Sequence, residues 1–104
     1  MPIMKKQDIQ NQLQKALRKS PTRSYVYRIS LFGSHLHGTA NNNSDIDLLI
    51  ELYEPISMLK LVHMERELTG ILGKNVDLCT PKSLSRYFRD DVVREAELLY
   101  ESAE

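Results

Sequence analysis

A chain of 104 residues with 41% hydrophobic content has room for one domain around one modest core. Fourteen basic residues balance fourteen acidic ones, so the formal net charge is zero and the strongly basic profile of a general nucleic-acid binder is excluded. No apolar run reaches the length of a membrane-spanning helix, and a single cysteine, Cys79, excludes an internal disulfide.

The opening MPIMKKQDIQ has no apolar segment of the kind a secretory signal needs. With the lone cysteine, this sets a cytoplasmic expectation. The charge is unevenly placed. Residues 1–30 carry seven Lys/Arg against one acid, Asp8, a net of +6. Residues 31–104 carry seven against thirteen, a net of −6. The basic half is either a solvated helix or a surface for an acidic partner.

Lys5 to Lys19 reads as a helix, because Ile9, Leu13, Ala16 and Leu17 recur at i, i+4, i+7 and i+8. Ser20-Pro21-Thr22 ends it. Lys15, Arg18, Lys19 and Arg23 lie near its exit, open to solvent, a phosphate or a partner. Val26 to Phe32 is β-branched and aromatic and reads as the first strand.

The strand stops at Gly33-Ser34. Glycine allows a sharp turn and a close approach, and Ser34 can open a short helical turn whose N–H groups suit a phosphate. Gly38 closes that turn. Thr39 to Ser44 (TANNNS) is a loop of turn formers. DIDLLIEL then begins a second strand, to about Leu52. Alternation sends Asp45 and Asp47 to one face and Ile46, Leu48 and Ile50 to the other. Asp is disfavoured in strands, so two beside an apolar run need a reason. Carboxylates two residues apart, at roughly 6.6 Å, can converge on one or two hard cations such as Mg²⁺, with substrate phosphates completing the coordination. A Gly-Ser turn or an Asp-x-Asp alone is commonplace. Their combination points to a triphosphate-and-metal site for in-line displacement at phosphorus.

Glu54-Pro55 breaks the second strand. Ser57 caps a helix from Met58 to about Leu72. Met58, Leu59, Leu61, Val62, Met64, Leu68, Ile71 and Leu72 exceed one apolar stripe, so the surplus is a second buried face or a protein contact. His63 falls at the surface or boundary. Gly73-Lys74 turns into a third strand, Asn75 to Cys79, with Val76 and Leu78 facing one way and Asp77 the other. Cys79 reads as a small buried hydrophobe. Pro81-Lys82-Ser83 is expected to start a helix with Leu84, Tyr87 and Phe88 on its apolar side. Asp90-Asp91 is expected to cap a last helix through about Glu97, with Leu98 to Tyr100 a short edge strand in which Leu99 and Tyr100 pack.

The spacing from Gly33-Ser34 through Asp45-x-Asp47 resembles the GS…DxD motif of the DNA polymerase β-like nucleotidyltransferase superfamily. The chain resembles the smallest members, the minimal nucleotidyltransferases, from the first helix to ELLYE near residue 101. The resemblance implies an α/β fold, with a small mixed sheet of at least three strands flanked by helices, as a single domain over residues 1–104. It implies that Gly33 and Ser34 hold the triphosphate of ATP. It implies that Asp45, Asp47 and a third carboxylate, matched by Asp77, are catalytic and bind Mg²⁺, two ions in the family. One departure stands out: His35 and His37 occupy a stretch where relatives often carry Arg. A neutral His is a weaker phosphate partner, and with no Cys or further His nearby the pair does not read as a zinc site.

Larger relatives carry an added acceptor-binding domain, so here the acceptor is expected on another chain. Minimal nucleotidyltransferases of this kind are paired with a helical HEPN ribonuclease toxin. The resemblance therefore implies an antitoxin of a type VII-like toxin–antitoxin module, a protein adenylyltransferase that moves AMP from ATP to a hydroxyl of that toxin, a tyrosine in the family. No direct nucleic-acid or membrane partner is expected. Two alternatives stand beside this: an antitoxin that works by binding alone, and transfer to a small hydroxylated molecule such as an aminoglycoside.

Overall fold

The sheet is built from strands whose alternate residues are apolar, and that alternation decides which face meets the helices. The computed structural model describes residues 5–38, 40 and 44–102. Strand β1 (Val26–Phe32) pairs antiparallel with β2 (Ile46–Leu52), setting Leu31 opposite Leu48 and Phe32 opposite Asp47. Helix α3 (Met58–Leu72) carries the chain over to β3 (Val76–Cys79), which lies parallel to β2 with Asp47 beside Asp77. Strand β4 (Glu97–Glu101) pairs antiparallel with the other side of β1. The order is β3-β2-β1-β4, a mixed sheet of four strands. The expected α/β architecture is therefore present, with the short terminal strand at one edge.

Ile29 and Leu31, Ile46, Leu48 and Ile50, and Val76 and Leu78 form the apolar side of the sheet, and all are buried. They join one core with Ile9, Leu13, Ala16 and Leu17 of α1 (Lys6–Lys19) and Met64, Leu68 and Leu72 of α3. The stripe expected on the first helix is thus the stripe that is buried. At the start of α1 the Asp8 carboxylate accepts the Lys5 N–H at 3.3 Å. Its end is closed by Ser20 N–H to Leu17 O at 3.2 Å, one residue before Pro21. Leu99 of β4 is buried in the same core, and its carbonyl accepts from Gln10 and Gln14 of α1 at 3.1 and 3.4 Å.

Helix α3 has the expected bounds. Ser57 Oγ accepts the Lys60 N–H at 3.2 Å, and Gly73 ends the helix in the left-handed conformation. Its surplus apolar residues do not form a second buried face: Met58 and Leu59 are 73% and 80% exposed, and Val62 is exposed beside them.

The helix expected from Pro81 does not form. Residues Pro81–Ser83 make a single 3-10 turn, and Leu84 is already extended. Ser83 Oγ accepts the Thr80 N–H at 3.1 Å and donates to the Thr80 carbonyl at 2.8 Å, closing the turn on itself. The Arg89 guanidinium then takes the Leu84 and Lys82 carbonyls, at 3.0 and 3.3 Å, which a continuing helix would have bonded internally. Tyr87 and Phe88, expected to pack, are 85% and 51% exposed. The last helix, α4 (Arg89–Glu95), starts after Phe88 with no side-chain cap. Asp90 and Asp91 lie in its first turn, where they favour the helix dipole rather than cap it. It stops short of Glu97 because that residue begins β4.

Replacing Leu48 with Ala is expected to cost about 2–5 kcal/mol, because the site sits at the centre of the core. Leu59→Ala is expected to stay within about 0.5 kcal/mol. Urea denaturation of the two variants checks both.

Candidate active site

The end of β1 brings the chain to Gly33, whose φ of 77° and ψ of −152° are open to glycine and strained for any other residue. A second constraint fixes it further. A Cβ at Gly33 would come within 3.0 Å of Asp47 Cγ and closer still to its Oδ2. The Asp47 carboxylate therefore lies directly against the turn, in the space that the missing side chain leaves. Phe32 opposite Asp47 in the β1–β2 ladder is what sets this juxtaposition.

Ser34–His37 form a one-turn helix, α2, whose first internal bonds run from the Leu36 and His37 N–H groups to Gly33 O, both at 3.1 Å. The N–H groups of Ser34 and His35 precede those bonds. Gly38 ends the turn in the left-handed region, as expected. Of the TANNNS loop only Ala40 and Ser44 fall within the described residues.

Asp45 is exposed and stands one residue before β2, not within it as the alternation suggested. Ile46 N–H donates to Asn75 O at 2.8 Å and ties this entry to the start of β3. Asp47 is half-buried, and Asp77 is exposed at the matching register of β3. Neighbouring strands lie about 4.8 Å apart, so paired residues share one face of the sheet. The structure thus brings Gly33, Ser34, Asp45, Asp47 and Asp77 to one end of the sheet.

The electrostatics reflect that gathering. Burial pushes the Asp47 carboxyl above the ordinary carboxylate range, and the charges of Asp77 and then Asp45 push it further. A cation beside Asp47 would offset that cost. Their oxygens are hard donors of the kind Mg²⁺ takes. Among the described residues no group of three or more His, Cys, Asp or Glu side chains is placed to hold a metal ion by itself. An arrangement of one or two carboxylates with phosphates completing the sphere is the usual Mg²⁺ mode, and the donor set fits it.

Several neighbours were not singled out by the sequence pattern. Glu65 of α3 accepts the Leu78 N–H at 2.9 Å, and Thr69 Oγ1 accepts the Val76 N–H at 3.0 Å, so α3 holds β3 from its outer edge. Glu65, Arg66 and Thr69 line a cleft with Asp45, Asn75 and Asp77. Their helical spacing identified a helix but not what its polar side would grip. Arg18 and Arg23 line a different cleft, with Gln10, Gln14 and β4, that includes none of the three aspartates. Cys79 is only half-buried, and its Sγ lies 3.8 Å from Asp77 Oδ1. Burial, with Asp77 and Asp47 beside it, pushes the thiol up to about 11, so it is not a thiolate nucleophile at neutral pH.

The two histidines part company. His37 is exposed, with Nε2 3.4 Å from Glu95 Oε2 of α4. His35 is half-buried, and its Nδ1 lies 3.1 Å from the Asp45 carbonyl. Burial, with Lys74 adding to it, holds the His35 ring below the usual imidazole range against the opposing effect of that hydrogen bond.

The family described as "Polymerase beta, Nucleotidyltransferase" matches residues 11–104. The chain belongs to this family. It is a nucleotidyltransferase of the polymerase β-like fold. A Methanocaldococcus jannaschii protein provisionally named a protein adenylyltransferase is 41% identical over 75 residues, 72% of this chain and 76% of that one. The protein adenylyltransferase MntA of Thermococcus cleftensis is 33% identical over 95 residues, 91% of this nucleotidyltransferase and 96% of its own length. A crystal structure of a toxin–antitoxin with AMP-PNP superposes with a TM-score of 0.73 at 28% identity, covering 90% of this chain and 74% of that one.

Two outcomes are expected of this geometry. Gly33→Ala should destabilise the nucleotidyltransferase by about 1–3 kcal/mol, and part of that cost should vanish in an Asp47→Ala background, a coupling that a double-mutant cycle in urea measures. Asp47→Asn should raise the melting temperature of the metal-free protein at pH 7. A folded-state pKa above the unfolded one means that wild-type stability is fullest below the unfolded Asp value, about 3.9, and is lost as pH rises through the folded one. The advantage of Asn should therefore shrink towards pH 4 and disappear below it.

Proposed function

We propose that this nucleotidyltransferase transfers AMP from ATP to a hydroxyl on a partner protein in the cytoplasm, a tyrosine of a HEPN ribonuclease toxin, and thereby acts as its antitoxin. The observation that carries the chemistry is the placement of the Asp47 carboxylate between the glycine of the Gly33-Ser34 turn and its strand neighbour Asp77. A phosphate site and an acidic metal site thereby share one wall. The protein acceptor is supported by likeness to MntA of Thermococcus cleftensis and to a toxin–antitoxin bound to AMP-PNP. No helix among the described residues is long and apolar enough to cross a membrane.

In this reading the N–H groups of Ser34 and His35, with the Ser34 hydroxyl, hold the triphosphate at the turn. Asp45, Asp47 and Asp77 hold Mg²⁺, which when bound neutralises phosphate charge and polarises the α-phosphorus centre. Asp77, the exposed carboxylate on the outer strand, accepts the proton of the incoming hydroxyl. The hydroxyl oxygen forms its bond to the α-phosphorus as the bond to the bridging oxygen breaks, and pyrophosphate leaves. The turn and the strand register act by positioning, since the groups are fixed before the substrate arrives.

A second reading is neutralisation by binding alone. The exposed apolar residues Met58, Leu59 and Val62 on α3 favour a protein contact of some kind.

Co-expression with a HEPN protein encoded beside it, where there is one, followed by intact-mass analysis of that partner, separates the two. A gain of one or more AMP units is expected. In the Asp45→Asn, Asp47→Asn variant the rate should fall by at least the 10²–10³-fold that loss of one electrostatic stabiliser costs, roughly. A stable complex without mass gain would support sequestration. Label from ATP entering a small hydroxylated acceptor, with no protein modified, would overturn both.

A further inference from the structure

We infer that His35 is a positioning residue: its ring spans from the nucleotide-binding turn to the main chain of Asp45 and sets where that carboxylate stands. The inference deepens the proposed function and rests on its assignment of the site.

The contact runs from Nδ1 to the Asp45 carbonyl at 3.1 Å, across ten residues of sequence. A carbonyl oxygen only accepts, so Nδ1 must carry the proton in this contact. In the neutral ring Nε2 is then a bare lone pair. That atom is sealed from solvent and has no hydrogen-bond partner among the described residues. The ring is therefore not a solvated loop residue, and among the described residues the Asp45 backbone anchors it.

What the anchor does follows from the connections around it. Asp45 stands outside β2, exposed, with no ladder bond of its own in the β1–β2 register. Residues 39–45, seven in all, join Gly38 to β2. On the β3 side, Ile46 N–H to Asn75 O holds the next residue. On the α2 side, the His35 bond ties Asp45 to the turn. Since α2 hangs on Gly33 O, the ring links the proposed phosphate turn to the first of the proposed metal carboxylates. His37 has no such place, being exposed and paired with Glu95.

The same logic names the substitution that should rescue function. Asn carries its amide nitrogen at the branch position equivalent to His Nδ1, so His35→Asn can donate to the Asp45 carbonyl. His35→Ala cannot, and His35→Gln places its amide one bond too far. Three readouts test the inference. In the wild-type protein, two-bond ¹⁵N–¹H spectra of the ring should show Nδ1 protonated and Nε2 bare. The Mg²⁺ concentration that half-saturates binding of a fluorescent, non-hydrolysable ATP analogue should rise about tenfold in His35→Ala, the scale of one lost hydrogen bond. His35→Asn should return most of that change, and His35→Gln should not. Transfer to the protein partner should follow the same order at limiting Mg²⁺ and converge at saturating Mg²⁺.

An Nε2-protonated ring, an unchanged Mg²⁺ requirement in His35→Ala, or an Asn variant no better than Ala would overturn the assignment. If His35→Ala fails to fold, the ring spectrum and the Asn–Gln comparison still decide it. Normal Mg²⁺-nucleotide binding by the wild type with no transfer to any partner would overturn the proposed acceptor, while the binding series would still rule for or against His35.

Discussion

The close approach of the Asp47 carboxylate to Gly33 is the constraint on which the candidate site depends. A strand pairing brings Phe32 opposite Asp47, and the next residue must then have no side chain. One glycine thereby meets two demands at once: a backbone with φ of 77° and an empty volume beside a carboxylate. The turn is consequently more than a flexible link. It is the floor of an acidic site, and the one-turn helix that follows presents its first N–H groups next to that floor.

The rest of the fold serves to hold the floor still. Ile46, Leu48 and Ile50 lock β2 into the core on its apolar side, which leaves Asp47 committed to the other. β3 must lie parallel to β2 for Asp77 to stand beside Asp47, and α3 makes that crossover. Glu65 and Thr69 then bond the outer N–H groups of β3 and blunt an edge that would otherwise be unpaired. Burying Asp47, with Asp77 and Asp45 close by, costs stability and pushes its carboxyl up, and such local conflict is usual at functional sites.

Much of this was legible in the sequence. The alternation of β2 and β3 and the helical stripe of α1 name core residues that are buried, because burial on one face leaves few other registers, whereas of the apolar positions named on α3 Met58, Leu59, Val62 and Ile71 are exposed. Ser57 and Gly73 marked both ends of α3, since each supplies a specific capping device. What escaped was non-local. Nothing adjacent to Pro81 reveals that Arg89 will take the carbonyls of Lys82 and Leu84, so a helix was expected where a 3-10 turn stands. Glu65 gripping β3 and His35 reaching Asp45 likewise depend on the fold bringing distant residues together. The motif around Gly33, Asp45 and Asp47 could be read as chemistry, but the reason for the glycine lies in the register of two strands.

The most direct measurement is a crystal structure of the protein with AMP-PNP and Mn²⁺, with the ions located by anomalous scattering. The expected result places the triphosphate on the Ser34 and His35 N–H groups and at least one ion at coordinating distance, about 2.0–2.2 Å, from Asp45, Asp47 or Asp77. A nucleotide seated in another cleft, or ions bound away from all three carboxylates, would contradict the site as described.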